Sequence, residues 1–164
     1  MTPIRFRPGP LVAVGLAVLP VAIAGALGNV VTLPALVPWY AGLAKPWFVP
    51  PNGLFAPAWT FLYLTMIVAF WRILRSDADA PGRGAAIRWF LVQISLNALW
   101  SIAFFGLHSP PAGLVVLALL LPAIVMTIVG FARVDRPAGL LLVPYLAWTC
   151  FATALNLGVW WLNR

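Results

Sequence analysis

Apolar side chains run along this chain in long unbroken blocks, and the charged residues fall between them. Asp, Glu, Lys and Arg are absent from 8–44, 46–71, 89–132 and 137–163. A helix crossing a hydrocarbon core of about 30 Å needs about 20 mostly apolar residues. Three of these intervals each hold one span; the 89–132 interval holds two, divided at Gly106-Leu107-His108-Ser109-Pro110-Pro111. The pattern predicts an all-α membrane bundle of five helices near 11–31, 53–74, 86–106, 110–131 and 137–161, with a long loop between the first and second. Ser109 before Pro110 reads as an N-cap followed by the first helical position, and Asp135 is expected to cap the fifth helix in the same way. Pro20, Pro122 and Pro144 fall inside predicted spans. Each removes an amide donor and should bend its helix, which a bilayer tolerates where neighbours satisfy the freed carbonyls.

Composition agrees: 63% of the 164 residues are hydrophobic, 8% are charged, and mean hydropathy is +1.01. Such a balance belongs to a polytopic membrane protein in contact with lipid, and without a repeat or low-complexity linker the chain reads as one domain. A formal charge of +7 raises the question of nucleic acid. The basic residues instead alternate with the spans: Arg5, Arg7, Arg72, Arg75, Arg83, Arg88, Arg133 and Arg136 share one side, and Lys45 and Arg164 the other. That distribution is a topology signal with no nucleic-acid face, and it predicts a cytoplasmic N-terminus and a C-terminus on the opposite side. Arg5 and Arg7 before an apolar run also resemble a secretory signal, but the run exceeds the usual 7 to 15 residues, so it is read as span one. The single Cys150 excludes an intramolecular disulfide.

Within this topology the polar and aromatic residues of the spans gather toward the side of Lys45. Phe55, Trp59 and Tyr63 are spaced i, i+4, i+8; Asn97, Trp100 and Phe104 are spaced i, i+3, i+7; Tyr145, Trp148, Ala152 and Leu155 form a third stripe. Trp71, Trp89, Trp160 and Trp161 lie near span ends, where aromatic rings commonly sit at the membrane interface, and Trp39 and Trp47 fall in the predicted outer loop. Trp59, Trp100 and Trp148 remain, and a deep indole N–H requires a partner. Together with Asn97 and Asn29 they fit an apolar pocket with a few convergent polar groups. They fit equally a hydrogen-bonded bundle without a ligand.

Side-chain catalysis finds no constellation. There is no Glu, Asp77, Asp79 and Asp135 lie in loops on the far side, and His108 stands alone in a turn. No catalytic or metal-ligating set is expected, and the spans lack the buried charges of an ion path.

Three segments then carry a resemblance: WYAGLAKPWFVPPNGLFAPAWTFLYLTM at 39–66, LNALWSIAFF at 96–105 and PYLAWTCFATALN at 144–156. In order and spacing they resemble the translocator protein family, also called tryptophan-rich sensory proteins or TspO/MBR. The resemblance implies a five-helix bundle, usually a homodimer, with a ligand cavity near one membrane face beneath the loop between spans one and two. It also implies binding of porphyrin or heme-type tetrapyrroles as ligands, with no obligatory cofactor, and in some relatives light-dependent porphyrin degradation or signalling. By similarity the ligand positions fall on Tyr40, Trp59, Tyr63, Asn97, Trp100, Trp148 and Ala152, with Lys45 beside them in the lid. Lys45 reads two ways, as a partner for ligand propionates or as an interfacial lysine snorkelling to water. The animal members' cholesterol-associated Tyr and Arg after Leu-Asn are missing from Leu155-Asn156-Leu157-Gly158-Val159-Trp160-Trp161, which places sterol binding behind tetrapyrroles.

Overall fold

The computed structural model describes residues 7–164 and, among them, is all helical. Arg5 of the topology argument lies outside the described residues. The helices are α1 Pro10–Ala35, α2 Phe55–Arg75, α3 Arg83–Ser101, α4 Pro110–Val134, α5 Arg136–Leu140 and α6 Val143–Leu162. Five stretches are long and apolar enough to cross a membrane: Pro10–Tyr40, Asn52–Arg75, Arg83–Gly106, Pro110–Val134 and Arg136–Leu162.

Three expectations change. Span one does not end near 31: α1 absorbs Pro34, kinks at Val37 before a cis Val37–Pro38 bond, and continues as a helical turn through Tyr40. Trp39 and Tyr40 therefore belong to the end of the span, and the lid is shorter than the sequence implied. The fifth span is broken at Leu141 and Leu142, so Pro144 opens α6 where its missing N–H is unneeded, instead of bending a helix interior. Asp135 makes no side-chain cap; its carboxylate accepts from Arg72 Nε at 2.5 Å and from Arg72 Nη2 at 3.1 Å. An ionised fork from a neighbouring helix outcompetes a local amide for the same oxygens. Ser109 behaves as expected, accepting from the Ala112 amide at 3.3 Å.

Around the bundle α1 packs on α2 and α3, α3 on α4, α4 on α5 and α6, and α5 on α2. Small residues make these approaches possible. Ala13, Ala17, Val21, Ala24 and Gly28 form the buried seam of α1, and a Cβ on Gly28 would sit 3.2 Å from Ser101 Oγ. Ala24 and Gly28 thus serve packing inside the bundle. At the arginine-rich end Phe70, Phe90 and Phe131 stack across α2, α3 and α4, with centroids 4.1 Å apart for Phe70 and Phe90 and 5.7 Å for Phe90 and Phe131. Arg83, 1% exposed, donates to the Ile73 and Leu74 carbonyls and so satisfies the end of α2. α2 and α6 touch chiefly through aromatic side chains at the opposite end, where the candidate site lies.

Candidate ligand site at the lid end

Helical periodicity places Phe55, Trp59 and Tyr63 on one face of α2, and this face meets Trp148 of α6. Trp59 lies 5.3 Å from Tyr63 and 6.5 Å edge-on from Trp148, while Phe55 reaches Trp148 at 6.0 Å. Trp148 also contacts Phe151 at 5.7 Å. The Tyr63 ring fits against Gly25 of α1, where a Cβ would stand 3.1 Å from it. Its hydroxyl donates to Asn97 Oδ1 at 3.5 Å, and Asn97 Nδ2 donates to the Tyr145 hydroxyl at 3.1 Å. Asn97 and Tyr145 are both buried, so three helices share one polar network.

A second cluster forms beside α3 and the end of span one. Trp100 donates to Asn156 Oδ1 at 3.2 Å, and Asn156 Nδ2 donates to the Pro110 carbonyl at 2.8 Å. The Trp100 ring stacks on Phe104 at 5.7 Å, Tyr40 packs on Phe105 at 5.7 Å, and Trp39 stacks on His108 at 4.6 Å. Lys45 lies over the Tyr40 ring at 4.8 Å and donates to the Ala41 and Leu43 carbonyls. Its ammonium is thus occupied within the lid in this conformation. Asn29 is exposed and joins neither cluster.

Between α2 and α6 a groove of about 420 Å³ opens, with Ala58, Phe61 and Leu62 on one wall and Pro144, Ala147, Trp148 and Phe151 on the other. Of the eight sequence-derived positions, Trp148 alone lines it. Trp59, Tyr63 and Asn97 stand behind Trp148, Tyr40, Trp100 and Lys45 belong to the second cluster, and Ala152 is half-buried one turn further along α6. The buried face of α6 runs through Tyr145, Thr149, Asn156 and Val159. Trp148 lies about 60° off that line by helical geometry, which turns it toward α2. Sequence reading overlooked Ala147 and Phe151, although Pro144, Ala147 and Phe151 repeat at i, i+3, i+7 with a small residue in the middle.

The indole N–H of Trp148 is buried and has no acceptor among the described residues. The side chain that carries it lines an otherwise apolar groove. The lid covers the neighbouring end of α6 by three contacts. Phe48 packs edge-on against Phe151 at 6.3 Å; Pro46 lies where a Cβ on Gly158 would meet it at 3.0 Å; Asn163 accepts from the Ala44 amide at 3.0 Å and donates to the Ala44 carbonyl at 2.9 Å.

The family model described as "TspO/MBR family" matches residues 16–162. A tryptophan-rich protein TspO from Archaeoglobus fulgidus is 44% identical over 153 residues, covering 93% of this chain and 96% of the relative. One from Chlorobaculum tepidum is 44% identical over 125 residues, covering 76% and 79%. The human translocator protein is 35% identical over 123 residues, covering 74% and 73%. The match spans all five membrane segments, the lid and both aromatic clusters, and the chain belongs to the TspO/MBR family of multi-pass integral membrane proteins.

Proposed function

We propose that the protein is a membrane receptor or carrier for a tetrapyrrole of the porphyrin or heme type. The observation that carries this reading is the apolar α2–α6 groove lined by Trp148, whose buried indole N–H has no acceptor among the described residues, with Trp59 packed behind it and Phe48 of the lid against Phe151. Small-molecule sites of roughly 300–1,000 Å³ combine apolar walls with few polar groups, and the groove has both properties. A flat macrocycle suits walls made of ring edges and small alanines, since burial contributes about 25 cal/mol per Å² of apolar surface before ordering costs. The Trp148 indole, once uncovered toward the groove, supplies direction by donating to a propionate oxygen. Engagement of a propionate by Lys45 requires release of the Ala41 and Leu43 carbonyls.

The same reading places the N-terminus in the cytoplasm, the lid on the opposite face, and the functional unit as a homodimer. Ala22 and Ala26, both exposed on α1, are a small-residue pair suited to close approach of a second copy.

Titration of protoporphyrin into the purified protein should quench tryptophan emission saturably. The double variant Trp59→Phe, Trp148→Phe should weaken binding by about tenfold or more, the scale of one lost directional contact plus ring surface. Undiminished affinity in that variant removes the site. Recovery of intact macrocycle after illumination identifies a binder; accumulation of cleaved product identifies a degrading enzyme.

A further inference from the structure

A second recess lies at the arginine-rich end, where α2 terminates against the junction of α4 and α5. It measures about 360 Å³ and is lined by Trp71, Arg72, Arg75, Ser76, Val134 and Asp135. Its only carboxylate, Asp135, is taken up by the Arg72 fork. Arg75 spends one nitrogen on the Pro8 carbonyl at 2.9 Å, and its remaining guanidinium donors have no partner among the described residues. The Trp71 indole N–H is buried with no acceptor there either. Free donors therefore outnumber acceptors, in a recess at the end of a membrane-spanning helix. Exposed Leu140 and Val143 on the neighbouring segment suit contact with acyl chains.

We infer that this recess binds a phosphate-type anion, with the free donors of Arg75 and the Trp71 N–H as its ligands and Arg72 as the adjoining positive charge. A guanidinium fork matches two phosphate oxygens, and an indole N–H adds a third directed bond. Basic recesses between helices at the positively charged membrane face suit anionic lipid headgroups, and a free phosphate presents the same oxygens. The inference is independent of the tetrapyrrole reading, because it uses the opposite end of the bundle.

Native mass spectrometry tests it on the full-length protein in a neutral detergent with equal phosphatidylglycerol and phosphatidylcholine. Preferential retention of phosphatidylglycerol is expected, falling about fivefold in Arg75→Gln, the effect of one basic side chain near a membrane surface. Arg75→Lys should recover part of it. Trp71→Phe, which disturbs no hydrogen bond among the described residues, should lower it as well. Inorganic phosphate is tested separately by its effect on the thermal midpoint. Selective lipid retention with no effect of phosphate assigns a headgroup. A phosphate-dependent rise that vanishes in Arg75→Gln, with displacement of the lipid, assigns the free anion. Equal retention of both lipids with no phosphate effect, or retention unchanged in both Arg75→Gln and Trp71→Phe, overturns the inference. Protoporphyrin titration of the same variants should match wild type, so that failure here is distinguishable from failure of the lid-end site.

Discussion

Trp100 donates its indole N–H to Asn156, whereas the Trp148 N–H is buried with no acceptor among the described residues. The same replacement should therefore act differently at the two positions. Trp100→Phe leaves Asn156 Oδ1 without its donor, and an orphaned buried acceptor costs about 1–3 kcal/mol. Trp148→Phe removes a donor that has no partner to lose and keeps most of the ring surface, so stability should fall by less than about 1 kcal/mol. Thermal unfolding in detergent separates them: Trp100→Phe should lower the midpoint clearly and Trp148→Phe only slightly. Equal losses would show that Trp148 is held by packing alone and weaken its role toward a ligand. Asn97 poses a related question, since it links Tyr63 and Tyr145 across three helices. A double-mutant cycle of Asn97→Ala with Tyr145→Phe should return a coupling of about 0.6–1.7 kcal/mol, the range of membrane-embedded hydrogen bonds. A coupling near zero would mean that the network adds no stability.

At the scale of elements the lid is held by local contacts that can be removed singly. Asn163 pairs both polar groups of Ala44, and losing that pair should cost about 1 kcal/mol, or roughly fivefold in the local opening equilibrium. Hydrogen exchange at the Ala44 amide should accelerate by that factor in Asn163→Ala while the Phe70–Phe90 end is unchanged; uniform acceleration would mean that the lid is no separate unit. Gly139 serves the opposite end. A Cβ there would stand 2.7 Å from Ala132 Cβ and 2.9 Å from the Ile128 carbonyl, so Gly139→Ala must push α5 off α4, at about 1–3 kcal/mol for overpacking. Neither role was legible in the sequence. Asn163 is bonded 119 positions away in the chain, and a glycine in an apolar run carries no mark of what approaches it. The spans themselves were legible, because hydrocarbon thickness dictates the length of each charge-free block. The positions of Trp39 and Tyr40 were not: span one was expected to end near 31, while the helix runs on through Pro34, kinks at Val37 and resumes its turn to Tyr40.

Considered whole, the molecule has two unlike ends, and its charge distribution bears on which way it crosses the membrane. Arg83 is buried on the carbonyls of α2 and Arg72 is forked to Asp135, so both have structural uses. Exposed Arg7, Arg88, Arg133 and Arg136 remain at that end, against Lys45 and Arg164 at the lid end. Lys45 is bound to lid carbonyls and Arg164 lies over the Trp161 ring at 3.1 Å, which further limits what the lid end offers as solvated charge. Residual basic charge near short loops biases those loops toward the cytoplasm, so discounting the structurally engaged arginines leaves the predicted orientation unchanged. The exposed Cys150 must first be replaced, giving a background for single cysteines at Asn52 in the lid and at Pro81 between α2 and α3, both exposed. A membrane-impermeant maleimide applied to intact cells should label Asn52→Cys and spare Pro81→Cys until the membrane is permeabilised. The reverse pattern would place the aromatic groove on the cytoplasmic side and the arginine recess outside. In that case an anionic inner leaflet could not supply the recess with its headgroup, whereas tetrapyrrole binding by the purified protein would be unaffected.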